Sequence, residues 1–349
     1  MFNLVKSIDI CEKVFDGTHD SPKYVSNGFP LVTSKYISNN IIDVSNPPKI
    51  SKCDMDKINI RSKVKINDIL ISMIGTVGLI ARVKSSPNFA IKNIGVLRPR
   101  NEIDSKYLLY YLQSTYAQSL IKSQLDGSTQ QYLSLDKLRN LNILYPKQEE
   151  YKQHIVNIIG SIDDLIENLN LINFNFYKLG ISIVKKNVND SEQNSKISDI
   201  SNVSSGKSTK KNTSGKYQII GANGCLGYTD NFNINEKIII TGRVGTIGTF
   251  CQYDEAIWCS DNTLIIRTKY FNYLFYYLNI FFDSNSLNRG STQPLITQTD
   301  LLNYEIFIPK NIIEIENELK EIYSNIKSNN IKISMLKKIK DNYLKKFFG

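Results

Sequence analysis

Histidine is nearly missing from this 349-residue chain, which holds only His19 and His154. Neither sits in a credible Ser-His-Asp set, and no carboxylate pair recurs along the chain, so catalysis has no visible machinery. Cysteine is sparse as well. Cys11, Cys53, Cys225, Cys251 and Cys259 are odd in number and form no Cys-x-x-Cys pair. A zinc site and a disulfide framework are both excluded as expectations, and a reducing cytoplasm is the expected compartment. Long apolar runs are lacking too. The stretch 271–282 has 12 residues and is broken by Asn272 and Asn279, whereas a membrane span needs ~20. The opening MFNLVKSIDI lacks the apolar core of a secretory signal. What the chain does have is positive charge, a net +10 with a pI near 9.1. This favours an acidic partner such as nucleic acid, although a Lys-rich solvated surface would give the same balance.

The chain also repeats itself. Gly127-Ser128-Thr129-Gln130 returns as Gly290-Ser291-Thr292-Gln293, and the match runs on to Pro146-Lys147 and Pro309-Lys310. Nine of these 21 positions are identical at a constant offset of 163. Upstream and in the same order, Gly75-Thr76-Val77-Gly78 pairs with Gly245-Thr246-Ile247-Gly248, and YLLYYL (107–112) with YLFYYL (273–278). A period of about 165 residues is too long for a solenoid unit and indicates two copies of a whole domain.

Residues 1–147 and 190–310 are rich in short runs of Val, Ile, Tyr and Thr, punctuated by turns such as Asp16-Gly17 and Asn223-Gly224. Residues 68–74 read as a buried strand entering a Gly-rich turn, and 107–120 as a helix. Two long helices are expected over 148–189 and 311–349. In the first, Ile155, Ile158, Ile162, Leu165, Leu169, Ile172, Phe176, Leu179 and Ile183 keep 3-4 spacing, the mark of a coiled-coil seam. Gly160 and Gly180 read as tolerated interruptions costing ~1 kcal/mol each. In the second helix Ile315, Leu319, Ile322, Ile326, Ile333, Leu336, Tyr343 and Phe347 share a stripe, with Asn329 and Lys340 intruding at seam positions. The expected fold class is α+β: two mixed α/β domains joined by two long antiparallel coiled-coil helices, as a pseudo-two-fold internal repeat. Struts of about 50–57 Å would hold the globules apart. The helices carry −1 and +3, so +8 of the +10 lies on the globules and connectors, where an anion would bind.

Two catalytic look-alikes fail. Asn46-Pro47-Pro48-Lys49 resembles the loop with which amino-methyltransferases grip a flipped adenine, but lysine replaces the stacking aromatic and no Gly-rich cofactor loop accompanies it. Ser204-Ser205-Gly206-Lys207-Ser208 resembles the end of a P-loop, yet Ser201 stands where the first glycine belongs. No cofactor is expected. The Gly-Thr-x-Gly turns could offer N–H groups to a phosphate, but a tight bend under the sheet is the favoured reading. The Gly-Ser-Thr-Gln loops suit hydrogen bonding to phosphates or bases as well as ordinary turns.

Read together, these segments resemble the specificity subunit of type I restriction-modification enzymes over essentially the whole chain. The resemblance is carried by Asp16-Gly17-Thr18-His19-Asp20-Ser21-Pro22-Lys23-Tyr24 with Thr33-Ser34-Lys35, then by Ile220-Gly221-Ala222-Asn223-Gly224 with Gly227-Tyr228-Thr229-Asp230. The repeated Gly-Ser-Thr-Gln loops and the spacer-like 161–167 (SIDDLIE) complete it. It implies a target-recognition domain at 1–147, a spacer helix at 148–189, a second recognition domain at 190–310 and a second spacer at 311–349. Each domain would read half of a split, asymmetric site in double-stranded DNA. The helices would set the gap and dock two methyltransferase subunits, restriction subunits would join, and a single non-catalytic copy would serve each complex. Ser7-Ile8-Asp9-Ile10 is preceded by six residues, where the family often carries a longer arm. How the N-terminus ties to the C-terminal helix is therefore open.

The expected DNA-contacting residues are Thr18, His19, Lys23, Lys35, Arg82 and Gln130 in the first domain. In the second they are Lys207, Lys210, Lys211, Asn223, Arg243 and Gln293. The lysines suit phosphates, whereas Gln130, Asn223, Arg243 and Gln293 suit base edges. Ile155, Ile162, Leu169, Phe176, Ile315, Ile322 and Leu336 mark the partner-docking helices. The rival reading is a non-catalytic coiled-coil scaffold with two ligand-binding globules and no DNA role, distinguished by loss of salt-dependent DNA retention. A concealed methyltransferase is a further rival, opposed by the missing cofactor loop.

Overall fold

The computed structural model describes residues 2–38, 40–127, 131–188, 193–287 and 294–349. It divides into two compact units, Met1–Asn168 with Ile333–Gly349, and Leu169–Lys332. The division falls within both long helices, so each helix contributes to both units.

In the first unit the strand Ile69–Ser72 buries every residue, as an inner strand should. It lies in an antiparallel sheet of order Cys11–Asp16, Ile94–Pro99, Ile69–Ser72, Ile80–Arg82. The second unit has Ser201–Ser205, Thr263–Thr268, Ile238–Gly242 and Phe250–Tyr253 in the same order and sense. The likeness extends to a second, smaller sheet in each unit. There the short strand Ala90–Ile91 runs parallel to Phe29–Val32, just as Trp258–Cys259 runs parallel to Tyr217–Gly221. The internal repeat is thus a repeat of topology.

The repeated hexapeptides lie in helices Glu102–Gln113 and Phe271–Phe281. Their first tyrosines, Tyr107 and Tyr273, are fully buried. Each hydroxyl donates to a backbone carbonyl, Tyr107 to Leu144 in strand Asn142–Pro146 and Tyr273 to Phe307 just after strand Glu305–Ile306. The helix expected over 107–120 breaks at Ser114, whose hydroxyl accepts from Ala117 N at 3.2 Å and starts the next helix, Thr115–Ser123. At the N-terminus, Phe2–Lys6 pairs antiparallel with Asn142–Pro146, and the Phe2 ring lies 6.4 Å from Phe348. The tie to the end of the second long helix is by contact.

The long helices run over Glu149–Asn187 and Ile312–Phe348. In the first unit Tyr151 meets Phe347 edge-on, and both Asp163 oxygens accept from Lys340 Nζ at 2.8 Å. Numbers rise along one helix as they fall along the other, so the packing is antiparallel. In the second unit Asn173 bonds Asn329 and Asn330 at 2.9 and 3.0 Å. The polar seam residues Asn329 and Lys340 therefore meet polar partners on the opposite helix. Among the described residues no helix is long and apolar enough to cross a membrane.

The phase of the first seam differs from the expected one. Ile155 and Ile162 face inward, but Leu165, Ile172 and Leu179 are 52%, 44% and 49% exposed. The neighbouring inward places go to Ile166, Asn173 and Gly180 instead. Gly180 is no mere interruption, because a Cβ there would lie 2.3 Å from the ring of Tyr276, itself buried. Gly160 differs, since its nearest neighbour would be the Tyr110 hydroxyl at 3.4 Å. The same substitution should consequently have opposite signs at the two sites. Gly180→Ala is expected to cost about 1–2 kcal/mol, overpacking outweighing the helix-propensity gain. Gly160→Ala should gain up to about 1 kcal/mol. Denaturant midpoints of the two variants check this.

Candidate nucleic-acid interface

Strand Cys11–Asp16 ends where Gly17 slides under the end of Ala90–Ile91. A Cβ on Gly17 would sit 2.5 Å from Ile91 O, so glycine alone fits. Gly17 N donates to Ile94 O (2.8 Å) and Thr18 N to Ile91 O (3.0 Å). Gly206 is held identically. Its Cβ would meet Ser260 O at 2.0 Å, Gly206 N donates to Thr263 O (3.1 Å), and Lys207 N donates to Cys259 O (2.9 Å). Asp16-Gly17-Thr18-His19 and Ser205-Gly206-Lys207-Ser208 are the same backbone carrying different side chains.

Those side chains make different surfaces. In the first unit His19 is exposed, with Nδ1 2.9 Å from Asn93 Oδ1 and Nε2 2.9 Å from Asp16 Oδ2. Asn93 takes φ +55° and donates its N–H to Thr18 O. The other oxygen of Asp16 accepts from Arg61 Nη2 at 2.5 Å, and Ser62 Oγ donates to the Asp16 carbonyl at 2.8 Å. Lys92 Nζ donates to Ser21 Oγ beside it. Lys23 and Lys35 are exposed, Lys35 lying over the Tyr36 ring. In the second unit the Lys207 carbonyl accepts from Trp258 Nε1 at 2.7 Å. Lys207, Lys210 and Lys211 are exposed around it. Asn223 stands at an exposed hairpin tip between the paired Gly221 and Gly224. Arg243 is exposed while its backbone is pinned on both sides, its N–H to Asn262 O and its carbonyl to Ile296 N.

Arg82 requires a correction. Its side chain is 11% exposed, and its guanidinium is used by Ser105, Asn67 and Glu102. It holds the sheet to the 102–113 helix and offers little to a ligand. Gln130 and Gln293 lie outside the described residues. The pairing of Arg61 with Asp16 left no mark in the sequence, since nothing local signals partners 45 residues apart. The residues that mark the docking helices lie mostly inward. Ile155, Ile162, Ile315 and Ile322 are buried in their own units, and Leu169, Phe176 and Leu336 are half-buried. The apolar side chains left outward are Leu165, Leu171, Ile172, Phe174 and Leu179 on the first long helix and Ile313, Ile331, Met335 and Ile339 on the second.

The look-alikes resolve as ordinary structure. Asn46 Nδ2 donates to Asp43 Oδ2 at 2.8 Å, and hydrogen bonds from Ser45 and Asn46 pull the exposed Asp43 carboxyl down to about 2. Asn46 lies in a turn held by Asp43 that runs into strand Lys49–Ile50. Ser204 and Ser205 lie in a sheet strand, and no helix follows Gly206. The Gly-Thr-x-Gly turns fold back over their strands, with Ser72 Oγ donating to Thr76 O in the first. All five cysteines are unpaired, and burial pushes the Cys11 and Cys259 thiols up to about 12.

A family model described as type I restriction modification DNA specificity domain matches residues 3–173 and 189–342. The type I restriction enzyme MjaIX specificity subunit of Methanocaldococcus jannaschii is 28% identical over 188 residues, 52% of this chain and 42% of that protein. The match thus spans under half of that relative's length. A solved S subunit of a type-I restriction-modification system from M. genitalium has a similar fold. Its TM-score is 0.59 at 16% identity, covering 100% of this chain and 96% of that one.

Proposed function

The chain belongs to the type I restriction modification DNA specificity domain family, and from that premise we propose that it reads a bipartite, asymmetric site in double-stranded DNA on behalf of partner enzymes. One observation carries the reading: Gly17 and Gly206 hold the same backbone frame, and what each frame displays is different. Two readers of unlike sequences need a common scaffold with unlike side chains. In this reading residues 1–147 and 190–310 are the recognition domains, and the helices over 148–189 and 311–349 set the gap between half-sites. Thr18, His19, Lys23 and Lys35 face one half-site. Lys207, Lys210, Lys211, Asn223 and Arg243 face the other. Linking the readers multiplies weak half-site affinities through effective concentration.

The chain supplies sequence choice and no chemistry, so adenine methylation and cleavage fall to methyltransferase and restriction subunits. In the second unit the exposed Leu171, Ile172, Phe174 and Leu179 on the first long helix suit docking of methyltransferase subunits better than the buried seam does. The test is an exchange of residues 1–146 for another recognition domain, followed by sequencing of modified adenines in a host that also carries the methyltransferase. One half of the methylated motif should change while the other half and the gap persist. Alteration of both halves would overturn the reading.

A further inference from the structure

We infer that Arg61, buttressed by Asp16, is the base-reading side chain of the first unit, and that it recognises a guanine edge in the major groove. The inference rests on the DNA-reading role proposed above. Asp16 is the unusual partner here, since its side chain is only 6% exposed. A carboxylate taken that far out of water must be paired. Yet both of its oxygens are committed outward, to Arg61 Nη2 and to His19 Nε2, whose side chains are 66% and 59% exposed. The ordinary structural use of a buried carboxylate is visible nearby. Asp68 grips Arg98 through both oxygens, and there the guanidinium is only 10% exposed.

The backbone around Asp16 is fixed with equal care. Ser62 Oγ holds its carbonyl, Gly17 N and Thr18 N are bonded to Ile94 and Ile91, and Asn93 N is bonded to Thr18 O. Arg61 closes the helix Lys52–Ser62, so the guanidinium is anchored at both its root and one tip. Among the described residues only Nη2 of that guanidinium has a hydrogen-bond partner. The remaining N–H groups form an oriented fork that the protein does not use, whereas those of Arg82, Arg98 and Arg139 are bonded into the fold.

Guanine presents O6 and N7 as two adjacent acceptors in the major groove, the pair that a planar guanidinium fork matches and a lysine ammonium does not. Pre-orientation by a fixed carboxylate lowers the entropy lost when the fork engages. Among the described residues the second unit shows no such pair. Ser205 replaces Asp16, and the exposed Arg243 is anchored through its backbone, to Asn262 and Ile296. Asp16 is accordingly a positioning residue of one half-site alone.

The experiment uses the full chain assembled with its methyltransferase on a DNA library, scoring methylated sites for wild type, Arg61→Lys and Asp16→Asn. Arg61→Lys keeps the charge, so a mere phosphate contact would survive it. The expected result is relaxation at a single G·C position of one half-site by about 5- to 150-fold. The other half-site should be unchanged, and Asp16→Asn should weaken discrimination at that same position. Amide hydrogen exchange of Arg61→Lys, expected to match wild type, separates this from loss of fold. A uniform decline with the motif intact overturns the inference, as does a wild-type half-site with no G·C pair sensitive to Arg61. Failure of the wild-type assembly to yield any bipartite motif would instead overturn the DNA-reading role itself.

Discussion

Lys152→Ala is expected to remove about 3–5 kcal/mol from the stability of the first unit, measured as a fall in denaturation midpoint without a change in slope. Lys152 lies near the start of the first long helix with its side chain 3% exposed, against an Asp104 that is 7% exposed. Its ammonium bonds Asp104 Oδ1, the Tyr145 hydroxyl at 2.8 Å and Glu149 Oε2 at 2.9 Å. Removing it leaves the Asp104 carboxylate buried without its cation, which is the costly way to break such a pair. Burial pulls the Lys152 pKa down, but hydrogen bonds to Asp104, Tyr145 and Glu149 outweigh it and raise the net value. The sign follows from linkage. The contribution is fully present below the ordinary lysine value of about 10.4 and is lost as pH rises through the higher folded one. The gap between wild type and Lys152→Ala should therefore be constant through neutral pH and narrow only in strong alkali. A gap that closes between pH 6 and 8 would contradict the pairing.

Much of this fold was legible because its signals are local. The hexapeptides 107–112 and 273–278, the glycine turns and the two long apolar stripes are strings or periods, and each maps onto an element of the expected kind. The seam phase was not legible. Counting apolar residues favours Leu165, Ile172 and Leu179, yet Asn173 and Gly180 take inward places because of groups far away in sequence. Asn173 has amide partners at Asn329 and Asn330, and Gly180 makes room for Tyr276. The same limit explains the arginines. Arg82 and Arg61 are equivalent as letters, and only tertiary packing decides that the first is bonded into the sheet and the second is left outward. What could be read of the site was its frame. Gly17 and Gly206 stand out because a glycine forced by close backbone approach leaves a mark in the sequence that a reading side chain does not.

The second unit solves the problem of Lys152 with the opposite charge, and this sets the next expected effect. Glu316 stands near the start of the second long helix, as Lys152 does in the first, and it too meets the start of the hexapeptide helix. The difference lies in that helix. Glu102–Gln113 brings its own acids and an Asn101 cap, whose oxygen accepts from Asp104 N at 2.8 Å, so a cation is wanted opposite. Phe271–Phe281 has no acid in its first turn and no side-chain cap. Its free donors must find an acceptor elsewhere. Glu316 supplies it, accepting from Asn272 N (3.1 Å), Tyr273 N (2.8 Å) and Asn272 Nδ2 (2.9 Å). Glu316→Ala is therefore expected to cost about 3 kcal/mol, with faster amide exchange at the start of that helix. Glu316→Gln keeps one acceptor oxygen and should cost about 1 kcal/mol or less. Burial raises the Glu316 carboxyl above its ordinary value, against the lowering effect of the bonds from Tyr273 and Asn272. The protonation-linked part of its stability is thus fully present below the ordinary glutamate value of about 4.3 and is lost as pH rises through the folded one, while its acceptor bonds remain. The glutamine variant, neutral throughout, should lack that decline. If alanine and glutamine prove equally damaging at pH 7, the helix start is held by the charge of Glu316 rather than by its acceptors.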